Sequence, residues 1–418
     1  MAPWLRVEFH LRCNARSRRR ADRAKRVTRM ERFPIIIVGS GPAGAATALA
    51  LHRLDPALAA DVLLLDKARH PRPKVCAGGL IPAGTRWLAE HDLALDVPHV
   101  TVHRALVTTP TTTVRHDDRD LCAVVRRAEF DAALVDACRA RGIMLREDEH
   151  VVDAVRTDDG IRLETNRGSY AARLVIGADG SGSVIRRRLV DPGKQHIARA
   201  IMADVPVGAL CWSGFAEQRY DFDFHLLRRG LRGYLWAFPC LIDGVPHANI
   251  GAYSLTPIGN QLDDAFAAYL GTFTDAVPRR AAFPIHWYRP RARLAAPHAW
   301  LVGDAAGVDP LMGEGISLAF EYGTIAAATA VEAVSGGDCS GIAYQRAVER
   351  SSLGTKLRRL HLATRLFYGR PWRACFAIAE YSRRVRALGL RWYNGVDEWD
   401  RRSGWEALAA LATNRVGA

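Results

Sequence analysis

Residues 35–44 read Ile-Ile-Ile-Val-Gly-Ser-Gly-Pro-Ala-Gly, and the next apolar run, Asp61–Leu65, ends on Asp66. Ile35–Val38 is a short β-branched run suited to a buried parallel strand. Gly39 permits a tight turn, Gly41 lets backbone approach a pyrophosphate, and Gly44 lets helix and strand pack closely. Pro42 and Ala43 open the helix that Ala45–Leu51 continues, and its N-terminal amides and dipole face the phosphates. Asp66 lies 22 residues past Gly44, where a ribose 2′-hydroxyl needs an acceptor. Strand, turn, helix, strand and acid in this order specify a dinucleotide site. The acid favours an unphosphorylated adenosine ribose, so FAD or NAD over NADP.

Two later stretches repeat the pattern of strand, turn and helix. Residues 172–186 carry an apolar strand into Asp179-Gly180 and then a helix ending in basic residues. Residues 299–321 deliver Gly303-Asp304 from a strand, and after Pro310 a Gly-rich turn opens a long helix near Ile316. Together the three landmarks resemble the glutathione-reductase-type FAD fold of single-component flavoenzymes. That resemblance implies that Asp304 binds the ribitol, and that Gly313, Gly315 and Ile316 set a helix end against the flavin pyrimidine, where its positive dipole stabilises a reduced, anionic flavin. Residues 125–131, Val-Arg-Arg-Ala-Glu-Phe-Asp, fit the R-x-x-F-D helix opening of these enzymes, which implies Arg127 near the phosphates. Val151 meets the adenine through backbone, and Lys67, directly after the acid, joins the same site. There is no second GxGxxG after a strand and no C-x4-C pair. The flavin therefore takes electrons transiently, from NAD(P)H or a reduced partner protein.

Composition narrows the rest. At 418 residues the chain holds two or three domains with ample apolar content. Eight cysteines without a CxxC pair indicate neither a zinc site nor a disulfide framework, and a reducing cytoplasm is expected. Ten Lys or Arg against two acids in residues 1–29 supply eight of the net fourteen positive charges. This segment reads as a disordered extension rather than a secretory signal. No nucleic-acid module accompanies the charge.

Within the flavoenzymes, Lys67-Ala-Arg-His-Pro-Arg-Pro-Lys74-Val-Cys76-Ala-Gly78-Gly79-Leu-Ile-Pro82 is similar to the K-x-C-x-G-G-L-x-P segment of the geranylgeranyl reductase family. Residues 233–239, Gly-Tyr-Leu-Trp-Ala-Phe-Pro, resemble that family's Y-x-W-x-F-P strand, which lines its substrate cavity. The resemblance implies saturation of C=C bonds in a polyprenyl or other long apolar substrate. Two positions bear on the branch: Cys240 stands where reductases often carry Lys, and halogenases of the same fold have W-x-W-x-I-P at the strand. A flavin monooxygenase or halogenase acting on an aromatic or polyketide-like compound is the alternative.

An unactivated alkene needs hydride from the flavin and a proton on the other carbon, in a dry pocket. Cys76, after Lys74 and before two glycines, is the first candidate proton donor, and otherwise a buried small hydrophobe. Tyr234 is the second, while Trp236 and Phe238 form apolar wall. Cysteines 122, 138, 211, 339 and 375 read as packing residues. No metal site is expected.

The expected architecture is α/β: a Rossmann-like FAD-binding domain (31–80, 120–195 and 290–335) interleaved with a mostly antiparallel β substrate domain (81–119 and 196–289). A basic extension (1–30) precedes it and a helical C-terminal region (336–418) follows. Turn signals in the substrate domain fall at Gly230, Gly233, Gly244 and Gly251. From Lys356 to Arg391 ten basic residues face one acid, Glu380, with Tyr368, Trp372, Phe376, Tyr381 and Trp392 interleaved. Such a helix lies on anionic lipid at the inner membrane face, or packs on its own domain with the arginines solvated. Nothing in the sequence sets the oligomeric state.

Overall fold

The computed structural model describes residues 30–193, 195–397 and 400. The basic extension at 1–29 and the end of the tail from 401 lie outside the described residues. Two eight-stranded sheets organise the chain. The first is a parallel stack in the order Ala299–Leu301, Ser169–Gly177, Glu31–Val38, Leu63–Leu65, Met144–Arg146, with Ala295–Ala296 and the antiparallel pair Val151–Thr157 and Gly160–Thr165 added to it. Its central strand carries Ile35, Ile36 and Ile37, all fully buried, as a parallel strand covered on both faces requires.

Pro42–Leu54 and Ile316–Gly336 pack against each other beside this sheet. The contact is close because Gly323 brings no side chain: a Cβ there would lie 2.7 Å from the Thr47 amide nitrogen and 2.9 Å from the Ala46 Cβ. Small residues also dominate the facing helix, where Ala45, Ala46 and Ala48 are buried.

The second sheet runs Ala281–His286, Ile197–Pro206, Val245–Ser254, Gly233–Ile242, Arg219–Asp223, His99–Thr108, Thr113–Val125, Gly79–Leu80. Every pairing is antiparallel except that of Arg219–Asp223 with His99–Thr108. One face carries the aromatic residues of Gly233–Ile242, and the other packs Leu235 and Ala237 beneath the helix Gln261–Leu270. The fold is thus an FAD-type α/β unit interleaved with a mostly antiparallel sheet and followed by helices from Ile342 to Tyr393.

Two sequence expectations need correction. A domain edge at residue 120 falls inside a strand, because Cys122–Val125 continue the ladder with His99–Val102 and are buried. Gly233 and Gly251 are not turns. Gly233 opens a strand, and Gly251 sits mid-strand opposite Trp236, whose ring occupies the space a Cβ would need (2.1 Å). Gly230 and Gly244, at φ +84° and +76°, do turn.

Filling the helix contact is expected to strain the whole first layer. Gly323→Val should cost about 1–3 kcal/mol of stability and lower Tm by roughly 1–4 °C, read by thermal unfolding; an unchanged Tm would show that the two helices are not tightly coupled.

Candidate cofactor and substrate site

A cavity of about 1030 Å³ opens between the two sheets. Every candidate catalytic or cofactor-binding residue expected from the sequence lines it except Gly44, the third residue of the first helix. Gly44 instead makes the turn possible: a Cβ there would stand 1.8 Å from the Gly39 carbonyl oxygen. Gly39 itself adopts φ +102°, a conformation that disfavours any side chain.

At the dinucleotide end, Asp66 is buried at the tip of its strand. It accepts from the Ser40 amide and hydroxyl, both at 2.8 Å, and from the Ala68 amide at 2.9 Å. A carboxylate offers about four acceptor positions, so capacity remains for a ribose hydroxyl. Lys67 is exposed beside it, and Val151 is buried where its strand begins. Arg127 makes a paired contact with Asp131 at 2.7 and 2.9 Å. Arg72, which sequence reasoning missed, reaches the same carboxylate at 3.3 Å and lies 3.4 Å from where a Gly41 Cβ would be. One buried acid therefore holds two guanidinium groups beside the turn. No local signal could have found Arg72, since its partner lies a whole domain segment away.

Four buried polar atoms of the lining residues have no partner among the described residues: Arg72 Nε, Asp179 Oδ1 and Glu314 Oε2, which sit beside the Gly-rich turns, and His116 Nε2. Unpaired buried polar atoms are costly, and they suit a polar ligand spanning the site. Together with the side-chain-free cradle at Gly39, Gly41 and Gly44, they fit FAD.

In the middle of the cavity Asp304 accepts from the Ser181 hydroxyl at 3.2 Å. The following loop is built on fully buried Asp309, which accepts from the Leu311 and Met312 amides at 2.7 and 3.0 Å and from the Tyr393 hydroxyl at 3.0 Å. Burial pushes its carboxyl up to about 6. Gly313, at φ +74°, completes the turn, and Gly315 caps the helix whose first residue is Ile316. Glu314 Oε1 accepts from the Ser317 amide at 2.8 Å. Lys74 places its ammonium 2.9 Å from the centre of the Phe283 ring, and burial lowers it to about 8 despite the attraction of Asp304 and Cys76. The Cys76 sulfur accepts from the Gly78 amide at 3.4 Å and lies near Arg127.

Tyr234, Trp236 and Phe238 share one face with Tyr220, Phe222 and Phe224. The Tyr234 hydroxyl, proposed from sequence as a second proton donor, donates to the Met312 carbonyl at 2.5 Å, and burial raises its pKa. Its one proton is committed, so it anchors the Asp309 loop instead. Trp236 Nε1 donates to Asn249 Oδ1 at 2.8 Å, and Asn249 continues to Asp204, which pairs with Arg126. Cys240, packed near Arg126 and Asp204, is pushed up to about 12 by burial. Cys122, read as packing, also lines the cavity, and Cys211 is exposed.

The cavity runs on into aliphatic and aromatic wall: Val107, Val114, Phe376, Val385 and Leu390. Three of these belong to the last two helices, Trp372–Tyr381 and Arg383–Tyr393. Leu353, Leu357 and Leu360 pack inward from the preceding helix, whereas Ile378 and Tyr381 are 58% and 91% exposed, beside exposed Arg373, Arg383 and Arg384. Among the described residues no helix is long and apolar enough to cross a membrane.

The chain is 29% identical to digeranylgeranylglycerophospholipid reductase 1 of Methanopyrus kandleri over 76% of this chain and 85% of that protein. It is 28% identical to menaquinone reductase of Mycolicibacterium smegmatis over 71% and 76% of the two chains. A geranylgeranyl bacteriochlorophyll reductase-like protein of Thermoplasma acidophilum shares the fold, with a TM-score of 0.67, 21% identity and coverage of 81% and 88%. A flavin-dependent brominase shares it as well, with a TM-score of 0.68, 16% identity and coverage of 87% and 94%. The family described as FAD binding domain matches residues 32–282. Cradle, paired arginines and family match agree: the chain belongs to the FAD-binding-domain family of flavoproteins.

Proposed function

We propose that this FAD-binding oxidoreductase saturates C=C bonds of an isoprenoid or similarly long apolar substrate. One observation carries the reading: the cofactor cradle and the apolar wall of Phe222, Phe376, Val385 and Leu390 line one cavity of about 1030 Å³. A tube of that kind binds a chain by burying apolar area, at about 25 cal/mol per Å². The relatives named as reductases support it. When bound, FAD supplies the reducing equivalents, delivered as hydride from its N5.

The chain's own residues then have three tasks. The aromatic face excludes water and orients the substrate. Cys76, in the loop between cradle and sheet, gives a proton to the second alkene carbon, its close approach permitted by Gly78 at φ +83°. Lys74, electrostatically coupled to Cys76, holds a proton near neutrality and restores it to the sulfur. NAD(P)H or a reduced protein reloads the cofactor between turnovers.

An apolar substrate of this size is held in lipid, and Ile378 and Tyr381 with their neighbouring arginines form the face that meets it. Sedimentation with anionic vesicles but not neutral ones is expected, and lost on Ile378→Asp/Tyr381→Asp; equal binding to both vesicle types would refute the electrostatic part.

The reaction is tested by mass. Anaerobic incubation of dithionite-reduced enzyme with polyprenyl quinones and lipids should raise substrate mass by two units per bond. Strict oxygen demand with a gain of sixteen, or halogen incorporation, would assign the chain to the monooxygenase or halogenase branch. Cys76→Ala should lower turnover about 10²-fold or more while FAD affinity stays within twofold. Because Lys74 is protonated below about 8 and neutral above, wild-type turnover should fall as pH rises past 8. Lys74→Met should lower the plateau and abolish that alkaline limb; an unaltered limb would remove Lys74 from the proton path.

A further inference from the structure

The far end of the cavity is not apolar throughout. His116 and Arg386 both line it, one from the strand Thr113–Val125 and the other from the helix Arg383–Tyr393. His116 Nε2 is buried and has no partner among the described residues. Arg386 lies close enough for its charge to act on the imidazole. Burial lowers the pKa of His116 most, and Arg386 adds to this against the opposing pull of Asp118 and Asp117, so the neutral imidazole can present one N–H.

Arg386 is fixed rather than free. Its Nη1 donates to the Ala379 and Glu380 carbonyls, both at 2.7 Å, leaving Nε and Nη2 without a bond among the described residues. Glu380 is itself tied to the hairpin turn: its Oε1 accepts from the Thr111 hydroxyl at 2.6 Å and from that of Thr109. Helix and hairpin are thus pinned together, one holding Arg386 and the other carrying His116. Apolar residues Val107, Val114, Phe222 and Phe376 line the same cavity.

The spacing can be read from strand register. His116 pairs with Ala105, and Gly79, in the loop that holds Cys76, pairs with Val124 opposite Val100. Five residues along the strand separate those levels, roughly 16 Å at 3.3 Å per residue. Donors at one end, an apolar tube, and a cofactor cradle at the other describe a ligand with two ends.

We propose that His116 and Arg386 form a head-group site, which binds a hydrogen-bond-accepting oxygen (a carbonyl or a phosphate) at the end of the chain whose interior double bond lies at the cofactor. The inference rests on the reductase reading and adds the residues that hold the polar end of the substrate. Such a site discriminates, because a ligand without the oxygen leaves buried His116 Nε2 unpaired.

Binding alone tests it. Quenching of tryptophan fluorescence in the oxidised FAD-loaded enzyme is titrated with three probes of equal chain length: a prenylated naphthoquinone, a prenyl monophosphate and the corresponding polyprene hydrocarbon. One head-bearing probe should bind at least tenfold more tightly than the hydrocarbon, and which one does distinguishes carbonyl from phosphate. His116→Phe and Arg386→Met should remove that advantage, leave hydrocarbon affinity within twofold, and keep FAD content at the wild-type level. His116→Gln, which retains a donor, should restore most of it. Equal affinity for hydrocarbon and head-bearing probes in the wild type overturns the head-group site while leaving the reductase reading standing. Failure of all three to bind overturns both.

Discussion

Backbone touching backbone is the constraint on which this structure depends. A Cβ at Gly44 would meet the Gly39 carbonyl at 1.8 Å, one at Gly39 the Ala178 carbonyl at 2.4 Å, and one at Gly323 the Thr47 amide at 2.7 Å. These contacts wedge the first helix between the parallel sheet and the helix Ile316–Gly336. The same wedge aims the N-terminal amides of Pro42–Leu54 at one end of the cavity and brings Asp304 and Ile316 to its middle. Cofactor geometry is thus a by-product of how closely three elements can approach, and the polar side chains are added to a frame already set.

Interleaving does the remaining work. Because the chain leaves the parallel sheet and returns to it, the second sheet is bound along its length rather than hinged at one linker. Arg126, at the start of the helix Arg127–Ala140, pairs with Asp204 on the second sheet, and Asp204 accepts from Asn249, which steadies Trp236. Next to it Asp131 holds Arg127 and Arg72. Adjacent positions on one turn of chain therefore tie down the second sheet and the Gly-rich turn respectively.

The dinucleotide turn was legible because its chemistry is local: strand, glycines, helix and acid follow one another within 32 residues, 35–66. Asp304 through Ile316 was legible for the same reason. The length of Thr113–Val125 was not, since burial of consecutive residues from Leu121 to Val125 erases the alternation that marks a half-exposed strand. Gly251 was misread because a glycine that makes room for an indole looks, in sequence, like a glycine that turns. Tyr234 was found, but its commitment to the Met312 carbonyl depends on a loop far along the chain. Arg72, His116 and Arg386 carried no signal at all: each matters only through a neighbour supplied by another segment.

The helices Trp372–Tyr381 and Arg383–Tyr393 help to close the cavity, and their attachment includes the contacts of Tyr393 to Asp309 and Thr111 to Glu380. Such a wall behaves as an adjustable ruler. Lengthening or trimming Trp372–Tyr393 would reset the span the cavity measures while leaving the redox apparatus intact, giving evolution a way to retune this catalyst for longer or shorter molecules by editing one terminal segment.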